Sequence, residues 1–125
     1  MNGLSVESVV TDGFWIEPAL SDGTLSVKLT GTGDMAAAAR LKGHVKELEG
    51  EVARLSIGAV EFDVRGMRFM SSSCIKAFVG FICGVVGRGS KCRVRFVTDA
   101  GLTWQRRSLK PLDRMCPELV SIDDA

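Results

Sequence analysis

The sequence predicts an α/β domain on a mixed β-sheet, with helices packed mainly on one face. Three observations carry this. Candidate strands alternate apolar and polar residues, as at Leu25–Thr30 and Ala59–Val64, and do not read as continuous apolar runs. Alternation marks a sheet with one buried face, whereas a doubly wound sheet buries both faces and its strands are apolar throughout. A β–α–β order runs on from residue 55, which implies parallel pairing through right-handed crossovers. A hairpin pattern precedes the first helix, so antiparallel pairing is expected as well. With 125 residues, 46% of them hydrophobic, the chain is expected to form one domain over 1–125, its first 30 residues belonging to the sheet.

The elements follow in order. Residues 4–10 suggest a short leading strand. Phe14-Trp15-Ile16 and Leu25–Thr30 are strands, and Ser21-Asp22-Gly23-Thr24 between them has the chemistry of a tight turn. Asp34 can cap a helix, because its carboxylate accepts the free N–H groups of a first turn. That helix runs from Met35 to about Arg54, with an apolar stripe of Met35, Ala38, Ala39, Leu41, Val45, Leu48 and Val52. Gly50 suggests a kink or an early end. Ala59–Val64 is a strand and Arg65–Met70 a loop. A second helix spans Ser72–Gly87, with Ile75, Phe78, Val79, Ile82 and Val86 on one face. Lys91–Thr98 is the next strand. A short helix near Leu102–Leu109 is interrupted by Pro111, and Leu119–Ile122 reads as a last strand.

The resources for catalysis are thin. His44 is the sole histidine and lies mid-helix, where a surface or satisfied role is expected. Gly31-Thr32-Gly33 lacks the further glycine of a dinucleotide loop and the Gly-Lys-Ser/Thr of a phosphate loop, and reads as a strand-to-helix turn. Cys74, Cys83, Cys92 and Cys116 form no C-x-x-C pair and do not approach His44 in sequence, so neither a metal nor a cofactor is expected. Free thiols, and a start without a charged and apolar leader, point to the cytoplasm, and no stretch is long enough to insert in a membrane. Charge is uneven: residues 1–62 carry five Lys/Arg against nine Asp/Glu, and 63–125 carry eleven against six. Arg93, Arg95, Arg106, Arg107, Lys110 and Arg114 are candidate nucleic-acid contacts, but few aromatic residues interleave with them, so that class is disfavoured.

The informative segment is Glu61 to Lys76, EFDVRGMRFMSSSCIK. A strand ends near an acid, Asp63. Met67 and Phe69 can plug back into the core. A serine triplet then stands where a helix begins, beside free N–H groups and the positive end of the helix dipole. One serine is expected to cap. A phosphoserine is also tolerated there, and would place nearly two negative charges on the surface without unfolding the domain. Lys76, Gly80, Gly84 and Gly87 recur at helical spacing, a small-residue stripe that allows close approach of another element, within the domain or from a partner. Phe81 and Val85 widen the apolar surface and would mark a partner site if exposed.

This segment resembles the STAS domain of anti-sigma-factor antagonists, where an acid near a strand end is followed by a short apolar loop and Asp-Ser-Ser/Thr-Gly-Leu opening a helix. Asp63 matches the acid and Phe69-Met70 the loop end. Ser71 stands where the family has Asp, Ser72 at the phosphoacceptor, and Cys74 where the family has Gly. Gly33-Asp34, Gly87–Lys91 and Leu102–Met115 extend the likeness over nearly the whole chain. The resemblance implies a STAS-like fold and a non-enzymatic module in bacterial signalling. Its phosphoacceptor would be Ser72, with Ser71 and Ser73 as alternatives. Its partner surface would comprise Gly33, Asp34, Met67, Phe69, Met70, Ser71, Ser73, Cys74 and Lys76. The partner would be a protein such as an anti-sigma factor or serine kinase. A second expectation is an unphosphorylated STAS-type accessory subunit of a transport ATPase. The oligomeric state stays open.

Overall fold

A computed structural model describes residues 8–11 and 13–125. Its strands are β1 (Val9–Thr11), β2 (Phe14–Ser21), β3 (Thr24–Gly33), β4 (Ala59–Met70), β5 (Arg93–Thr98) and β6 (Val120–Asp124). Its helices are α1 (Met35–Arg54), α2 (Ser72–Gly87) and α3 (Thr103–Met115). The strands form one mixed sheet in the order β1-β2-β3-β4-β5-β6. The first three pair antiparallel and the last four parallel. Each of the three crossovers steps one strand in the same direction, so a common right-handed sense places all three helices on one face.

The hairpin forms where its turn chemistry places it. Asp22 and Gly23 both have positive φ, at 51° and 78°, which a two-residue turn between twisted strands requires. β1 shares Val9 and Val10 with the leading strand expected at residues 4–10, and it pairs with β2 of the same chain. Residues 4–7 lie outside the described residues.

The covered face of the sheet supplies Leu25, Val27, Leu29, Val60, Phe62, Val94 and Phe96, all at most 1% exposed. Phe62 is the hub. It stacks on Phe96 at 5.4 Å and meets Phe78 and Phe81 of α2 edge-on at 5.1 and 5.3 Å, geometries that add to the benefit of burial. The other face carries Ser26, Lys28, Glu61, Asp63, Arg93 and Arg95 in the alternate positions.

Several elements differ from the sequence expectation. Residues 65–70 are not a loop: β4 continues to Met70, paired with β3 up to Gly33↔Met70. Two register shifts in this pairing break the period-two signal, which is why alternation was not legible there. Gly31 and Gly33 are likewise strand residues, with no turn between them. Gly31 has φ 110°, and a Cβ there would collide with the Gly13 carbonyl. The buried face of α2 is Cys74, Ala77, Phe78, Phe81, Ile82 and Val85, leaving Val86 exposed. That face is rotated from the expected one and takes Phe81 and Val85 into the core. On α1, His44 is buried and Met35 is 69% exposed, the reverse of expectation. α1 also runs through Gly50 to Arg54. α3 runs through Pro111. Pro111 is exposed, so the carbonyl deprived of its partner one turn earlier faces the wet side of the helix. β5 begins at Arg93, and β6 spans Val120–Asp124.

Candidate functional site

β3 and β4 end side by side at Gly33 and Met70, so α1 and α2 open from one corner of the molecule. The strand ends are tied, with the Ser71 N–H donating to the Gly33 carbonyl at 2.8 Å. Each helix is capped by the residue just after its strand. The Asp34 carboxylate accepts from the Ala37 N–H at 2.9 Å, and Ser71 Oγ accepts from the Cys74 N–H at 3.3 Å. The capping serine is therefore Ser71. Ser72 is the first residue of α2 and is exposed. Ser73 turns toward α1 and donates to Met35 Sδ at 3.4 Å.

The expected partner residues divide into two sets. Asp34, Phe69, Ser72 and Lys76 are exposed, and Ser71 and Ser73 are half-buried. Phe69 is 52% exposed and does not plug the core. Gly33, Met67, Met70 and Cys74 are buried, so the Met67, Met70 and Cys74 side chains and the Gly33 backbone shape the corner from beneath. The core claims Met67 because the register shifts turn it inward while Arg68 and Phe69 stay outside.

Gly33 and Cys74 fit one another. The Cys74 thiol donates to the Gly33 carbonyl at 3.4 Å. A Cβ on Gly33 would stand 3.0 Å from Cys74 Sγ and 2.9 Å from the Phe69 carbonyl oxygen. The absence of a side chain at Gly33 is what lets Cys74 occupy the buried space beside it. Burial pushes the Cys74 thiol above its ordinary pKa, and burial takes Cys92 up to about 11. Both thiols are thus protonated and poorly nucleophilic at neutral pH.

One residue that organises this corner was missed from sequence. Gln105 of α3 is fully buried. Its amide Nε2 donates to the carbonyls of Val64 at 2.9 Å and Met67 at 3.0 Å, and its Oε1 accepts from the Asp99 N–H at 2.8 Å. β4 outruns its pairing with β5, which ends at Asp63↔Val97. Gln105 replaces the missing neighbour along the extension. A buried Gln in the run 103–108, polar apart from Trp104, has no distinct pattern, so its only sequence signal was its i, i+4 spacing to Leu109.

Of the six candidate nucleic-acid contacts, Arg95, Arg106 and Lys110 are drawn into ion pairs within the domain. Arg95 lies on the bare sheet face between Glu61 at 2.9 Å and Asp123 at 2.8 Å. Arg106 pairs with Asp124 and Lys110 with Asp113, on and beside α3. The small-residue stripe of α2 is put to use within the fold at Gly84, where any Cβ would collide with the Glu49 carboxylate of α1. No helix among the described residues is long and apolar enough to cross a membrane.

Strand order, one-sided helices and the paired helix starts together define the fold of the anti-sigma factor antagonists. An anti-sigma factor antagonist from Mycobacterium paratuberculosis matches over 86% of each chain with a TM-score of 0.64 and 22% identity. The anti-sigma factor antagonist SpoIIAA in its unphosphorylated form matches over 82% of this chain and 96% of its own, with a TM-score of 0.55 and 14% identity. The Bacillus cell fate determinant SpoIIAA in its phosphorylated form matches over 90% of each, with a TM-score of 0.55 and 16% identity. No protein-family model and no curated protein matches the chain by sequence. The STAS-like fold expected from sequence is borne out.

Proposed function

We propose that this chain is a non-enzymatic signalling module of the anti-sigma-factor-antagonist type, acting in the cytoplasm on a protein partner through the α1/α2 corner. The observation that carries the reading is the division of labour in the serine triplet. Ser71 caps α2, which leaves Ser72 exposed at the helix start and without a structural task there. A phosphate on Ser72 would meet the free N–H groups and the positive end of α2, so the fold would accept it. Exposed Phe69 lies three residues before Ser72, and exposed Met35 is bonded by the neighbouring Ser73. Charge placed next to an apolar contact opposes docking through desolvation and repulsion. SpoIIAA, whose fold the chain shares, exists in a phosphorylated form, and anti-sigma factors or their kinases are the partner class this implies.

The test is capture of the partner from native lysate on the full chain, with intact-mass measurement of the chain itself. The expected result is one phosphate, absent from Ser72→Ala. Ser72→Glu should lower partner recovery at least about tenfold, equivalent to roughly 1.4 kcal/mol, with unchanged far-UV circular dichroism. Recovery indifferent to Ser72→Glu overturns the switch and indicates a constitutive contact.

A further inference from the structure

We propose that the groove between α1 and α2, leading away from the serine corner, seats an acidic amphipathic helix of a partner protein. The groove has a volume of about 560 Å³. Ala38 and Val45 of α1 and Ala77 and Phe81 of α2 make an apolar floor. Lys42 and Lys46, one turn apart on α1, face Lys76 of α2 across it. These three lysines are exposed and form no ion pair among the described residues. The acid that lines the groove, Glu49, is held by Arg88 at 3.0 Å.

Shape and charge together select the occupant. From Met35 to Glu49 the wall formed by α1 rises about 21 Å, the length of a four-turn helix. Gly80 on the facing wall leaves open space where a Cβ would stand, so a second backbone can approach closely. The cations are distributed along both walls. That distribution matches a row of carboxylates along a helix, whereas a lone anionic headgroup would call for cations gathered at one end. An apolar stripe on the same helix would cover the floor, in the helix-in-groove mode of recognition. Met35 and Ser73 line both groove and corner, so the groove extends the partner surface proposed above, and this inference rests on that reading for its setting while needing no phosphate.

The experiment titrates the isotopically labelled full chain with a synthetic four-turn peptide bearing a leucine stripe flanked by glutamates. Controls are the same peptide with lysine for glutamate, a scrambled peptide of equal composition, and palmitate. The expected result is that only the acidic amphipathic peptide shifts the amides of Met35, Ala39, Lys42, Lys46, Lys76 and Gly80. The double variant Lys42→Glu, Lys46→Glu should weaken that binding about tenfold or more, since it removes two attractions and adds two repulsions. Equal binding by the lysine or scrambled peptide overturns the proposal. So do shifts confined to other surfaces, binding that survives the double variant, or palmitate filling the groove where the acidic peptide does not. Because both lysines are exposed, the variant should keep its fold, checked by circular dichroism. A peptide that fails while Ser72→Glu still blocks the native partner sinks the groove alone. A peptide that binds while Ser72→Glu changes nothing sinks the switch alone.

Discussion

Gln105 illustrates how one side chain can stand in for a strand. A carbonyl left unpaired away from water costs about 1–3 kcal/mol. The β4 extension would leave two such groups, at Val64 and Met67, were it not for this amide. Gln105→Leu keeps the apolar bulk and removes every bond. It should destabilise the protein by roughly 2–4 kcal/mol, read as a lower urea midpoint. Gln105→Glu should fail as well, because an ionised carboxylate cannot donate. Stability unchanged in both variants would show that water reaches these carbonyls. The loss should be felt at the corner too, since the same strand segment carries Phe69 and Met70 to the start of α2.

The two helix starts use different capping groups on adjoining strand ends. Their N-terminal N–H groups have no partner within the helix, so each cap satisfies a group that would otherwise rely on water. Asp34→Ala and Ser71→Ala should each cost about 1 kcal/mol. Ser72→Ala should stay within about 0.5 kcal/mol, as surface changes do. Thermal melting followed by circular dichroism separates these. A melting point lowered by Ser72→Ala as much as by Ser71→Ala would assign the cap to the wrong serine. At this scale α1 also explains why its apolar stripe looked too broad. Ala37, Ala38, Leu41, His44, Val45, Leu48 and Val52 face inward. Met35 and Ala39 lie to one side of that face and line the groove with α2.

Across the molecule the two sheet faces meet different solvents. Helices seal one face, and the other holds a lattice of opposite charges across β4, β5 and β6, including Glu61–Arg95–Asp123 and Asp63–Arg65. Such exposed pairs are individually weak, typically below about 1 kcal/mol, but they make stability depend on pH. Hydrogen bonding from the Arg65 guanidinium holds the Asp63 carboxyl below its ordinary 3.8. The folded pKa lies beneath the unfolded one, so this contribution is complete above about pH 4 and is lost as pH falls through the folded value. Urea unfolding between neutral pH and about pH 3 should show a fall in stability that Asp63→Asn makes shallower. An unchanged slope would place the acid sensitivity elsewhere.

Local chemistry by itself determined most of the architecture. Alternation marked the strands, Asp22-Gly23 the hairpin turn, Asp34 the first cap, and the β–α–β order the parallel half of the sheet. These signals were legible because each depends on neighbours within a few residues. The serine corner was visible as a motif, but its inner arrangement was not. Which serine caps, that Met67 turns in while Phe69 stays out, and that α2 buries Phe81 and Val85 depend on register between β3 and β4 and on packing against α1. Tertiary structure alone decided those, along with the pairing of Gln105 with carbonyls some forty residues earlier. The physical reason is that burial and hydrogen-bond satisfaction are settled by what lies across the space, and periodicity along the chain carries no record of it once bulges reset the strand.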